Sequence, residues 1–238
     1  MTRLSVNVNK VALLRNSRGG NLPDVLQVAR DCEAFGAQGI TVHPRPDERH
    51  IRYQDVCDLK PLVTTELNVE GYPDDRFMDL VLEVCPAQCT LVPDPPGVLT
   101  SSEGWNTVAQ KDQLIQVISA LKAKGIRVSV FVDPNPAMVS GAALAGADRV
   151  ELYTGNFAKD FSRDPGEAVQ PHIDAAKEAA ASGLGINAGH DLNLYNLAFY
   201  RQSIPALLEV SIGHALIADA LYYGLQNVIG MYRRCLDG

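Results

Sequence analysis

The sequence predicts a single (β/α)8 barrel domain spanning residues 1–238, and three observations carry that expectation. Short β-branched runs alternate eight times with segments of helical spacing. No hairpin signal such as Asn-Gly stands between successive strands. The first strand is followed by NKVALLRNSRGG, which lacks the glycine fingerprint of an open doubly wound sheet.

Taken in order, LSVNVN (Leu4 to Asn9) reads as the first strand. After a polar loop, Pro23 to Phe35 carries Val25, Leu26, Val28, Ala29 and Cys32 on a helical stripe, with Pro23 near the first turn. GITVHP is the second strand and QDVCDLKPLV a short helical piece. TELNVEG is the third strand, followed by a helix from Asp74 to Val84. QCTLVP is the fourth, followed by a long loop, Pro93 to Gln110, that suits a mobile lid, and a helix from Ala109 to Lys124. IRVSVFVD is the fifth, with Pro136 to Ala145 helical. RVELYTG is the sixth, with an alanine-rich helix from Gly166 to Ser182. LGINAGH is the seventh, with Asn193 to Gln202 helical. LLEVSIGH is the eighth, and one helix from Ala215 to Leu236 closes the chain. Glycines at 36, 125, 146 and 183 supply left-handed caps where helices stop before strands.

Composition narrows the function classes. With 46% hydrophobic but only 6% aromatic residues, the core is expected to be aliphatic and large enough to fold unaided. Against 28 acidic residues, 21 Lys and Arg leave a formal charge of −7, which argues against a broad nucleic-acid footprint and makes local basic clusters conspicuous. Five cysteines without paired CxxC units read as reduced, packed side chains. No run approaches the ~20 apolar residues of a membrane span, and the N-terminus has no signal-peptide core. The expectation is a soluble cytoplasmic protein with no nucleic-acid or membrane partner.

A barrel assembles its active site at the C-terminal strand ends, and here those ends are polar. The first offers Asn7, Asn9 and Lys10; the second, in TVHPRPDERH, offers His43, Arg45, Arg49 and His50. Asn68 and Glu70 follow on the third, Asp133 on the fifth, and Glu151 and Thr154 on the sixth. Asn187 and His190 end the seventh, and Gly213-His214 the eighth. Only His172 among the five histidines falls in a helix. Imidazoles titrate near neutrality, and a desolvated glutamate becomes a usable base. Arg18 and Arg45 offer the planar fork that suits phosphate oxygens. The glycine–helix junctions in NAGHD and IGHALIAD suit anions. Together these groups suit proton transfers on a phosphorylated carbonyl compound.

The runs VNVNKVALLRNSRG, GITVHPRPDERHI, LNVEGYP, CTLVP, VELYTG, INAGHD and IGHALI, in this order, resemble the pyridoxine 5′-phosphate synthase family, PdxJ. The resemblance implies a TIM barrel that assembles into homo-octamers and uses no cofactor or metal. It implies condensation of 1-deoxy-D-xylulose 5-phosphate with 3-amino-2-oxopropyl phosphate, releasing phosphate and water. His43 and Glu70 are then proton acceptors, His190 the proton donor, and Glu151 the stabiliser of developing charge. Asn7, Arg18, Gly213 and His214 would hold the aminoketone phosphate; Arg45, His50 and Thr100 would hold the deoxyxylulose phosphate. Two departures stand out: Asn9-Lys10 replaces a common Asp-His at positions that touch the deoxyxylulose substrate. Asp191 replaces a common glycine, either keeping a backbone amide contact or capping the next helix.

Three other readings compete. A divalent-metal sugar-phosphate isomerase or epimerase would use His43, Glu70 and His190 as ligands. A Schiff-base aldolase would use Lys10. A non-catalytic phosphate-metabolite barrel would leave Glu70 and Glu151 unexplained, since carboxylates oppose anion binding.

Overall fold

The computed structural model describes residues 1–94 and 103–237, and within them the eight strands close into one parallel barrel in sequence order. In order, the elements are β1 (Arg3–Asn7), α1 (Asn9–Asn16), α2 (Val25–Ala34), β2 (Gly39–Val42), α3 (Tyr53–Leu59), β3 (Leu67–Gly71), α4 (Asp75–Val84) and β4 (Gln88–Leu91). They continue as α5 (Lys111–Ala123), β5 (Arg127–Val132), α6 (Pro136–Leu144), β6 (Arg149–Leu152), α7 (Gly155–Asp160) and α8 (Pro165–Ala181). The last are β7 (Gly185–Gly189), α9 (Leu197–Ser203), β8 (Leu207–Ile212), α10 (His214–Tyr223) and α11 (Leu225–Asp237). Strand β8 pairs with β1 from Arg3 opposite Glu209 to Val6 opposite Ile212, which closes the ring.

Local chemistry sets the element ends. Asp24, Asp74, Asn135 and Asp164 accept first-turn amides and start α2, α4, α6 and α8, with proline at the first turn of the last two. All four glycines expected to cap helices take positive φ, from 72° at Gly183 to 106° at Gly36. The five cysteines are free.

Three expectations need correction. The stretch after β1 is the helix α1, not a loop, and Asn9 opens that helix instead of ending the strand. It buries Val11, Ala12 and Arg15; an inward-facing arginine is what concealed the pattern. Gly155 begins α7, a short helix anchored by buried Phe157, where a strand end was expected. The terminal helix is two helices, α10 and α11, broken at Gly224 with φ 76°.

The aliphatic core lies outside the strands, between sheet and helices, and includes Leu4, Val6, Ile40, Val42, Val69, Val128 and Val130. The alternate residues face the barrel axis and most are polar, Phe131 beside His190 being an apolar exception, unlike the branched apolar layers usual in this fold. Inside the ring, Ser5 and Thr41 hydroxyls meet at 2.7 Å, Asn68 donates to Thr41 at 3.4 Å, and Thr90 donates to Asn68 at 3.0 Å. Gln88 accepts from Arg127 at 2.9 Å and from Asn187 at 3.4 Å, and donates to Glu209 at 3.4 Å. Arg149 lies 3.5 Å from Glu209. Bonds from β4 to β7 and β8 cross the ring, so they place these groups inside it. Buried polar atoms that find partners avoid the desolvation cost.

A close approach fixes the strand that carries Glu70. A Cβ on Gly71 would lie 2.1 Å from the ring of Phe77, which is buried at the start of α4. Gly71→Ala is expected to destabilise the protein by about 1–3 kcal/mol through overpacking. A denaturant midpoint unchanged from wild type would show that the ring gives way freely.

Candidate active site

The ends of β1, β2, β3, β7 and β8 open into a cavity of about 460 Å3, within the range for small-molecule sites. Asn7, Asn9 and Lys10 form one wall. Asn7 Oδ1 accepts the Asn9 amide at 3.0 Å, and Asn9 Oδ1 accepts the His43 amide at 3.0 Å. His43, Arg45 and His50 form the next wall, Glu70 the floor, and His190, Asp191, Gly213 and His214 the far side. Twelve of the residues singled out in the sequence, Arg49 among them, therefore meet in one place.

Glu70 is 2% exposed, and its Oε1 has no hydrogen-bond partner among the described residues. Burial, then the neighbouring Glu151 charge, raises its pKa to about 8, against the pull of His190 and Arg45. Its Oε2 lies 3.9 Å from His43 Nδ1. Burial, and then Arg45, His50 and other cationic groups, push the His43 pKa well down, so that imidazole is neutral and able to accept a proton. His50 is similarly lowered, to about 4, by burial and then Arg45, Arg49 and Lys10. Its Nδ1 accepts the Ile51 amide at 2.9 Å, so its proton sits on Nε2.

His190 is the opposite case. Burial works to lower its pKa, but Glu151 and then Glu70 outweigh burial and raise it to about 9. Glu151 Oε1 stands 3.6 Å from His190 Nδ1. The carboxyl lies behind the imidazole and outside the cavity lining, 1% exposed. His190 holds φ 49°, a left-handed backbone that costs a non-glycine residue about 1 kcal/mol or more. Its amide is bonded to the Ser211 carbonyl at 3.2 Å.

Gly213 precedes α10, whose first-turn amides suit an anion. A Cβ there would press to 3.1 Å on Asn7. Asp191 lines the cavity, but its amide is donated to Thr154 Oγ1 at 3.3 Å. It does not cap the next helix, because α9 starts at Leu197 with Asn196 as its N-terminal flank.

Arg18 is not brought to the cavity. It is exposed beyond the end of α1, carried away because the preceding residues are helical. Thr100 and residues 95–102 of the expected lid lie outside the described residues. His172 is structural: burial lowers it to about 4, and its Nδ1 pairs with Tyr200 OH at 2.9 Å. Sequence reasoning gave no role to Leu13, Tyr153 or Ser211, all of which line the cavity. Period-two spacing from Glu151 to Tyr153, and helical spacing from Lys10 to Leu13, could have found two of them.

The arrangement joins a neutral imidazole, a carboxyl of raised pKa and a charged imidazole around one space flanked by Lys10, Arg45 and Arg49. It can take protons, give protons and hold anions. Among the described residues, no three His, Cys, Asp or Glu side chains are grouped to hold a metal ion. Nor is any described helix long and apolar enough to cross a membrane.

The family described as pyridoxal phosphate biosynthesis protein PdxJ matches residues 4–238. The chain is 59% identical over 237 residues to a pyridoxine 5′-phosphate synthase of Parabacteroides distasonis, covering 100% of both chains. It is 61% identical over 234 residues to one of Cytophaga hutchinsonii, covering 98% of each. Among solved structures it resembles Mycobacterium tuberculosis tryptophan synthase, with TM-score 0.68 and 14% identity over 99% of this chain and 92% of that one. It also resembles Thermotoga maritima phosphoribosyl anthranilate isomerase, with TM-score 0.63 and 13% identity over 100% of both. At such identities the structural likeness concerns the barrel alone.

Proposed function

Because the chain belongs to the PdxJ family of pyridoxal phosphate biosynthesis proteins, we propose that it is a pyridoxine 5′-phosphate synthase. It joins 3-amino-2-oxopropyl phosphate to 1-deoxy-D-xylulose 5-phosphate in the cytoplasm, as a step of vitamin B6 synthesis. The observation that carries this reading is a proton acceptor and a proton donor facing one cavity: neutral His43 beside Glu70, and charged His190 across from them.

The chemistry follows from the substrates. The amine of one condenses with the ketone of the other, and ring closure then needs successive proton removals beside a carbonyl or imine. His43, and Glu70 in its ionised form, accept those protons; His190 returns one to a departing oxygen, helping water or phosphate to leave. Glu151 holds the proton on His190 until it is needed. The α10 amides and Asn7 suit the aminoketone phosphate, and Lys10, Arg45 and His50 the sugar phosphate. Holding both substrates replaces a two-body encounter with an oriented one. Lys10, which stands where relatives often have histidine, keeps a cationic donor in the wall. The substrate supplies the amine, so no lysine of the chain needs to form an imine. The chain assembles with copies of itself as an octamer, a reading that rests on its membership of the family.

Purified protein mixed with both substrates is expected to form pyridoxine phosphate, followed by its absorbance, and to keep doing so after exhaustive chelation. No product, or product that vanishes on chelation and returns with a divalent metal, would overturn the reading. Borohydride with either carbonyl substrate alone should leave Lys10 unlabelled.

A further inference from the structure

The turn that carries Arg49 and His50 into the cavity is held from behind by groups that touch no reacting atom. Arg15, on the buried face of α1, lays its guanidinium fork on Asp55 at 2.7 and 2.8 Å and donates to the His50 carbonyl at 3.1 Å. Its neighbour Asn16 turns Nδ2 toward three successive carbonyls, of Glu48, Arg49 and His50, at 3.3, 3.1 and 2.8 Å. Asn16 Oδ1 accepts from Arg15 Nε and from Arg52, both at 3.0 Å. That environment fixes which way the amide faces, because a flip would set NH2 against two guanidinium groups. Asp55 also accepts the Arg52 amide at 2.7 Å, tying the start of α3 to the same cluster.

The turn needs such support. Glu48 is left-handed at φ 50°, a conformation that persists only where its surroundings hold it. Three carbonyls aimed at one point repel unless donors fill it. The other end of the same helix places Lys10 and Leu13 in the cavity wall. One rigid element thus sets both a wall of the cavity and the turn facing it.

We propose that Arg15, Asn16 and Asp55 are positioning residues that preset the 48–50 turn, so that Arg49 and His50 meet a substrate phosphate as a ready-formed anion site. The proposal deepens the function above and rests on its assignment of two phosphorylated substrates to this cavity. Arg49 becomes part of that anion site: its Nε is held by Asp47 at 2.9 Å, which leaves the guanidinium's other nitrogens to the cavity.

Asn16→Ala removes the grip on the three carbonyls and leaves the Arg15–Asp55 pair in place. In the full-length protein its KM for 1-deoxy-D-xylulose 5-phosphate is expected to rise about tenfold or more. The KM for the aminoketone and kcat should each stay within about threefold. Asn16→Asp, which keeps the acceptor but loses the donors, should behave alike. Inorganic phosphate reads the turn without turnover: wild type should take it up at two sites, and Asn16→Ala should weaken one by about tenfold. Equal rises in both KM values, or an unchanged phosphate isotherm, would overturn the proposal. If wild type made no pyridoxine phosphate yet the phosphate isotherms differed as stated, only the reaction assignment would fail.

Discussion

Glu70→Gln is expected to lower kcat by about 10^2- to 10^4-fold, the usual worth of a general base, while substrate binding stays measurable. The same change should stabilise the fold, and the gain should grow with pH. Folded Glu70 keeps its proton up to about 8, whereas the unfolded chain gives it up near 4.5. Between those values the folded state binds the extra proton, so wild-type stability falls as pH rises through the window. Glutamine never ionises and escapes that loss. Thermal unfolding at pH 5 and pH 8 should show the variant's advantage widening, by roughly 1 kcal/mol or more at the higher pH. Normal turnover would remove Glu70 as the base; an advantage that did not widen would mean Glu70 is ionised in the folded state.

The second large effect concerns Glu151. With its carboxyl gone, burial prevails at His190, and the imidazole should lose its proton at a lower pH. A donor must be protonated to act, so the alkaline limb of the kcat/KM profile reports its titration in the free enzyme, where Glu151 and Glu70 hold it up to about 9. Glu151→Gln should move that limb toward acid by more than about one pH unit and lower kcat at pH 8 by roughly 10- to 100-fold. Partial recovery at lower pH is part of the expectation. A profile that keeps its alkaline limb while losing rate would mean that Glu151 acts on the substrate and not through His190.

Much of the fold was readable in the sequence because the outward faces of the strands are aliphatic and the helices stop at glycines that only a left-handed cap explains. What escaped has physical causes. An arginine on a helix normally reads as surface, yet Arg15 is buried against Asp55, so α1 passed for a loop. Arg18 was expected at the site for its guanidinium and by the family resemblance, but it lies past the end of α1, and a helix advances only about 1.5 Å per residue and points its end where its axis leads. Asn68 and Asn187 look like active-site polar groups in sequence, yet they bond to other inward-facing side chains inside the ring. Spacing along a strand separates inward from outward, but not mouth from interior. The histidines and glutamates were legible because nothing else in an aliphatic strand end accounts for them. The cluster behind the 48–50 turn was not, since its bonds run to backbone carbonyls that sequence does not display.

The polar lining of the ring has a bearing on how the molecule comes together. Gln88 is 121 positions from Glu209 and 99 from Asn187, so the groups on either side of the axis belong to opposite halves of the chain. The first four strands alone would satisfy Thr41 and Asn68 among themselves but would leave the Gln88 amide without Arg127, Asn187 and Glu209. Joining the two halves therefore adds polar bonds that neither half can make alone, and the ring collects them only as it closes.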